Sequence, residues 1–150
     1  MDCHVFRRNP AGEDEWLLMK RAPHILLGGT WQMVSGHIEG DEKAFEAALR
    51  EMREETGLRV RHFYQASYVN RFYLAHSDEI VLSPVFCVEV AWEEQVRLSP
   101  EHTDYRWVSP EEAMDLLPWP GQRKALAVLR EQFILREPLA QSCLDGMCDV

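Results

Sequence analysis

Residues 36 to 58 limit what this chain can fold into more than any other stretch. Gly36 is followed after five residues by Glu42, and after seven more by Arg50-Glu51-Met52-Arg53-Glu54-Glu55-Thr56-Gly57-Leu58. An α-helix turns about 100° per residue, so Glu51, Glu54 and Glu55 fall within roughly a 100° arc of one helix. Ala44, Phe45, Ala48, Leu49 and Met52 form the neighbouring apolar arc, which must face a core, while Glu46 and Arg53 lie on the far side. Asp41 is expected to cap the helix, with Glu42 in the first turn where negative charge is favourable. Gly57 is expected to end it in the left-handed conformation, with Leu58 folding back onto the last turn. The carboxylates therefore sit where the helix meets the rest of the protein.

Two readings of those carboxylates stand at this point. Three of them beside Arg50 suit a hard divalent cation, and Mg²⁺ takes oxygen ligands while keeping waters that a phosphate can share. A solvated acidic edge is the other reading, since exposed like charges at i,i+4 cost only about 0.2–0.5 kcal/mol.

The segment resembles the Nudix box, written G-x5-E-x7-R-E-U-x-E-E-x-G-U with U aliphatic. Gly36, Glu42, Arg50, Glu51, Glu54, Glu55 and Gly57 match every fixed position, with Met52 and Leu58 at the aliphatic places. The resemblance implies an α/β fold, a Nudix-type α/β/α sandwich in which a mixed β-sheet lies between helices and the box is loop-helix-loop. It implies hydrolysis of a nucleoside diphosphate linked to another group, with Mg²⁺ or Mn²⁺ held by the box glutamates. Glu51 and Glu55 are then metal ligands, and Glu54 is a further ligand or helps to deprotonate the attacking water. Arg50 would hold the carboxylates by ion pairing rather than touch substrate. The general base differs among Nudix enzymes and stays open here.

Composition fits one such domain over residues 1–150, with 46% hydrophobic and 27% charged residues. A formal net charge of −9 argues against binding nucleic acid polymers, and leaves phosphate recognition to local cations and metals. The expected partner is a small phosphorylated molecule. No apolar run approaches the roughly 20 residues that span a bilayer, and the N-terminus has no signal-peptide pattern. Cys3, Cys87, Cys143 and Cys148 do not read as a disulfide framework, so a reduced, cytoplasmic setting is expected. Cys87 reads as a small core residue. Cys143 and Cys148 have no second pair and no neighbouring histidine to complete a metal site.

The rest of the chain alternates elements without repeats. Cys3 to Arg8 and Trp16 to Arg21 read as strands joined by a turn over 9–14, and Trp31 to Ser35 as a short strand leading into the box. Val60 to Phe72 and Ile80 to Ala91 are strand-rich, the second too apolar on both faces to be an edge. Tyr105 to Val108 is a last strand, and Ser109-Pro110-Glu111-Glu112 starts a helix that stops before Pro118. A C-terminal helix is predicted over Gly121 to Leu135, and residues from about 138 to 150 as a frayed tail. The first strand begins almost at Met1, so the earlier segment that touches substrate in some relatives is not expected here.

Several residues outside the box gain a role from the resemblance. Arg21 ends a strand entering the active-site side, where relatives use it on phosphates; otherwise it is a surface arginine. Ser35 precedes the box glycine, at a position that joins the metal shell or contacts substrate in relatives. Glu101, in Pro100-Glu101-His102-Thr103-Asp104-Tyr105-Arg106-Trp107, matches a distant glutamate that completes the metal site. His102 is read as a hydrogen-bonding residue that could assist the leaving group, and Trp31 and Trp107 as packing residues. Phe72 and Tyr73 are candidates to stack on a ring, with core packing as the alternative.

Trp31-Gln32-x-Val34-x-Gly36, Glu101-His102-x-x-Tyr105-x-Trp107 and the Trp119 segment resemble the dihydroneopterin triphosphate and dATP pyrophosphohydrolase branch. That implies release of pyrophosphate and a monophosphate from a triphosphate. Tyr73 lies close to the tyrosine position associated with diadenosine polyphosphate cleavage, which keeps dinucleoside polyphosphate hydrolysis as the alternative. A non-catalytic nucleotide-binding regulator is a third reading, although such proteins usually lose box glutamates and this chain has all of them.

Overall fold

The computed structural model describes residues 1–147. Seven strands form one sheet among them: β1 (Asp2–Arg8), β2 (Asp14–Arg21), β3 (Trp31–Gln32), β4 (Val34–Ser35), β5 (His62–Leu74), β6 (Glu79–Glu89) and β7 (His102–Val108). The path runs β3-β2-β1-β6-β5, with β7 on the other side of β2 and β4 against β1. β1 and β6 are parallel and the remaining pairs antiparallel, so the sheet is mixed. β6 is interior, as its two apolar faces require.

Strand alternation feeds two cores. Cys3, Val5, Leu17, Met19, Phe63 and Val88 face α1 (Ala44–Thr56) and meet Ala47, Ala48, Leu49 and Met52. Phe6, Trp16, Leu18, Tyr64 and Cys87 face α2 (Pro110–Leu116) and α3 (Pro120–Leu129), packing on Ala113, Leu126, Leu129 and Phe133. Each fully buried side chain of this size contributes roughly 1.5–3 kcal/mol. The result is the α/β/α sandwich expected from the sequence.

The strand expected over 31–35 is two strands. β1 and β2 pair near their hairpin turn, through Phe6↔Trp16, and part beyond it. β3 then pairs along β2, β4 along β1, and buried Met33 joins them. The chain thereby fills the gap between the parting strands and delivers Gly36 at its mouth.

α1 begins later than the sequence suggests. Its N-cap is Lys43 rather than Asp41, and the Glu46 carboxylate accepts the Lys43 backbone N–H at 2.8 Å. Glu42 lies before the helix, because both its oxygens are taken by Arg50 (2.8 and 3.0 Å). The far end is as expected: Gly57 has φ +66° and its N–H reaches the Arg53 carbonyl. α2 starts at the Ser109 cap, whose hydroxyl accepts the Glu112 N–H at 3.1 Å. α3 is followed by a π-turn over Arg130–Ile134, from which Phe133 stacks on Tyr64 at 4.7 Å.

The tail is the main departure. Ala140–Ser142 and Asp145–Met147 are 3₁₀ turns, and Cys143 bridges Tyr64 on the outer edge of β5. The Leu144 N–H donates to the Phe63 carbonyl at 2.7 Å, and the Asp145 carboxylate accepts the Phe63 N–H at 2.7 Å and meets His62 Nδ1 at 2.8 Å. Leu144 enters the α1-side core. Local composition did not reveal this because the stabilisation is backbone pairing with a strand eighty residues away. Cys148 lies outside the described residues.

Candidate active site

Helix geometry brings the box side chains together. Arg50 is the hub: besides Glu42, its guanidinium donates to Glu51 at 2.9 Å, to Glu54 at 3.4 Å and to the His37 carbonyl at 3.0 Å. Those contacts tie the loop before α1 to the acidic arc, and Glu42 and Glu51 hold the guanidinium more firmly protonated than usual. In return Arg50 holds the Glu42 carboxyl below its ordinary range. Gly36 packs directly on Glu51, and a Cβ there would overlap its carboxylate. That close approach explains the glycine opening the motif.

Glu54 and Glu55 differ sharply. Glu54 is 59% exposed at its side chain and borders a hollow of about 660 Å³ with Arg50, Asp41, Glu42, Glu46 and Arg53. Glu55 is 3% exposed, and its Oε2 has no hydrogen-bond partner. Burial, then the negative charges of Glu51 and Glu101, push its carboxyl up to about 8, against a counter-pull from Arg21. A buried carboxylate crowded by two others and holding a free oxygen is chemically suited to a dication. Hard oxygen donors are also what Mg²⁺ or Mn²⁺ takes.

Glu101 and Arg21 come from different elements to the same place. Glu101 immediately precedes β7, and its carbonyl accepts the Ala22 N–H at 2.8 Å, stapling the end of β2 to it. Arg21 ends β2 opposite His102 and directs Nε to the Leu26 carbonyl at 2.7 Å. Among the described residues no three His, Cys, Asp or Glu side chains already converge on one centre. Arg50 engages Glu51 and Glu54.

The other expected residues are spread more widely. Ser35 pairs with Asp2 at the mouth of the sheet. Phe72 and Tyr73 point to opposite faces of β5, and the Tyr73 hydroxyl donates to Asp78 at 2.8 Å. Trp107 stacks under Arg7 at 4.4 Å and Trp31 under Arg106 at 4.8 Å, both packing roles. His102 opens β7 and is buried, with Nε2 3.4 Å from Gln32 Nε2 and Nδ1 unpartnered. Gln32 escaped the sequence reading as a site neighbour because its place beside His102 depends on β2 lying between β3 and β7.

Known proteins share this fold. The family model described as NUDIX domain matches residues 3–129. A bis(5'-nucleosyl)-tetraphosphatase [asymmetrical] from Mus musculus is 31% identical over 140 residues, covering 90% of each chain. An octanoyltransferase from Myxococcus xanthus is 37% identical over 112 residues, 73% of this chain but only 30% of that protein, so most of that protein has no counterpart here. An Ap4A hydrolase from C. elegans superposes with a TM-score of 0.76 at 18% identity, covering 90% of this chain and 96% of that one. The E. coli dihydroneopterin triphosphate pyrophosphohydrolase gives 0.67 at 23% identity over 89% and 94%. At these identities the two structures speak to the fold. With Arg50, Glu51, Glu54 and Glu55 of the box on the expected helix, the chain belongs to the Nudix family, hydrolases that act on pyrophosphate bonds.

Proposed function

We propose that this protein hydrolyses a phosphoanhydride bond in a nucleotide-like polyphosphate, with Mg²⁺ or Mn²⁺ held by Glu51, Glu54, Glu55 and Glu101. The buried, unpartnered Glu55 carboxylate oxygen supports this most directly, because a bound dication would satisfy it and relieve the crowding by Glu51 and Glu101. When bound, such an ion neutralises phosphate charge and makes a nearby water more acidic.

The chain's own residues divide the remaining work. Glu54, the exposed member of the arc, takes the proton of the attacking water. The water oxygen bonds to phosphorus in line with the bridging oxygen, whose bond to that phosphorus breaks. Arg50 fixes Glu51 and Glu42 so that the carboxylates stay in register. Arg21 leaves the Leu26 carbonyl for a phosphate oxygen, a charge-assisted contact stronger than the one it gives up. Ser35 borders the entering substrate beside Gly36.

Two substrate classes fit. A triphosphate such as dATP or dihydroneopterin triphosphate would give pyrophosphate and a monophosphate. A dinucleoside polyphosphate is favoured by the mouse tetraphosphatase, which matches nearly end to end. Assaying dATP, dihydroneopterin triphosphate, diadenosine tetraphosphate and ADP-ribose with Mg²⁺ separates them by products. Glu54→Gln and Glu55→Gln should each lower turnover by at least about a hundredfold while the protein stays folded. Full activity in both variants would refute the assignment.

A further inference from the structure

Glu101 is the one proposed ligand that α1 does not carry, and it stands at the end of a long irregular connection. Residues 90–101 link β6 to β7 without helix or strand. Connections of this kind are ordinarily the mobile part of a fold. This one is tied down at intervals along its length.

Its start is held by a cation. The Arg7 guanidinium lies between two indoles, 3.9 Å from the ring centre of Trp92 and 4.4 Å from that of Trp107. Glu15 keeps Arg7 there, accepting from Nε at 2.9 Å and from Nη2 at 2.8 Å. Trp92 belongs to the connection, and Arg7 and Trp107 to the sheet, so the guanidinium fastens one to the other. Further on, the Glu94 carboxylate accepts from the Arg59 side chain at 2.8 Å and from its backbone N–H at 3.2 Å. Val96 and Leu98 then pack on the α1-side core.

The far end is fastened to α1 itself. A helix leaves its last carbonyls without partners, and here the connection supplies them. The Arg97 N–H donates to the Thr56 carbonyl at 2.8 Å, and the Ser99 N–H to the Glu55 carbonyl at 3.4 Å. The Ser99 carbonyl accepts the His102 N–H at 3.2 Å, closing a turn that contains Glu101. Glu55 and Ser99, joined backbone to backbone, each carry a side-chain oxygen shielded from water and without a hydrogen-bond partner. Glu101 is also among the charges that raise the Glu55 carboxyl, so the two carboxylates face one another across this joint.

We propose that residues 90–101 form a strap that sets the separation of Glu101 from the α1 carboxylates, with Ser99 and Trp92 as positioning residues for the cation site. Only about 7 Å of chain at full stretch separates Ser99 from Glu101, so the bond to the Glu55 carbonyl leaves little slack. Arg7 closes the other end, and loss of its grip on Trp92 lets the strap lift from the sheet. Neither Ser99 nor Trp92 touches the ion. Each acts through Glu101.

The strap rests on the hydrolase reading for Glu101 as a ligand, and Mn²⁺ binding to the substrate-free whole protein separates the two. Its Kd is read from the electron paramagnetic resonance signal of free Mn²⁺, with folding checked by urea melts. Glu101→Gln should weaken binding by at least about tenfold. Ser99→Pro removes the N–H given to Glu55 and should weaken binding about tenfold, with Trp92→Ala costing at least about threefold. Trp92→Phe keeps a ring for Arg7 and should return Kd to within about twofold of the parent. In the Glu101→Gln background, Ser99→Pro and Trp92→Ala should each change Kd by less than about twofold, because the ligand they position is gone. A general loosening of the fold would lower affinity alike in both backgrounds. If Ser99→Pro does not fold, the Trp92 series decides alone. Parental Kd in the folded strap variants, or equal losses with and without Glu101, would overturn the strap and leave the ligand standing. An unchanged Kd in Glu101→Gln would overturn the ligand assignment, and the strap with it.

Discussion

Glu55 lies in the last turn of α1 as a carboxyl removed from water, and its environment makes a pH dependence that can be signed in advance. Its folded value near 8 stands above the unfolded carboxyl's, so in metal-free protein the native state keeps a proton that the unfolded chain has released. Stability should therefore fall as pH rises from about 5 to 8, by no more than roughly 3–5 kcal/mol for this one group. Urea melts of metal-free protein across that range check the slope, and Glu55→Gln should flatten it. A profile that rises with pH, or is unchanged by the substitution, would contradict the burial described for this carboxyl. At the neighbouring position, Gly36→Ala places a methyl where the Glu51 carboxylate now lies. Displacing a catalytic group by about 1 Å can cost on the order of a hundredfold, so kcat should drop on that scale with little change in melting temperature. Activity within twofold of the parent would show that Glu51 has room to move.

At the scale of elements, the tail and the outer strand belong together. Leu144 packs into the α1-side core while its backbone extends the sheet beside Phe63, covering an edge that would otherwise be open. Leu144→Ala should cost about 2–3 kcal/mol in urea unfolding with an unchanged slope, as expected for a buried leucine whose site collapses in part. A cost below about 0.5 kcal/mol would mean that the tail is not held as described. Legibility in the sequence follows the range of the interactions. The α1 arc was readable because Glu51, Glu54 and Glu55 are set by local helical spacing, and Ser109 and Gly57 because caps are local too. Asp41 was misread as the cap because Glu42 is drawn to Arg50 eight residues away. Leu144 was missed because its partner, Phe63, lies about eighty positions earlier in the chain.

For the whole molecule, a net charge of −9 and a concentrated acidic arc mean that divalent cations should act on global stability. Binding only to the folded state at a hundred times Kd adds about 2.7 kcal/mol. Millimolar Mg²⁺ should therefore raise the melting temperature at pH 8 by several degrees, and the same ionic strength of NaCl should not. Glu55→Gln should lose most of that rise, whereas a rise retained in this variant would place the ion elsewhere. The sandwich itself was foreseeable from alternating elements and the box. The parting of β1 from β2 was not, because it depends on β3 and β4 choosing different neighbours. Among the described residues no helix is long and apolar enough to cross a membrane.

The parallel pairing of β1 with β6 sets an order of events at the ribosome. Asp2 to Phe6 find their neighbours on that side at Val85 to Glu89, more than eighty positions later in translation. At about 5–20 residues per second, the nascent strand spends roughly 4–16 s with that flank bare. Cys3 and Val5 would meanwhile be open to chaperones, and the sheet's centre could close only after β6 had been made.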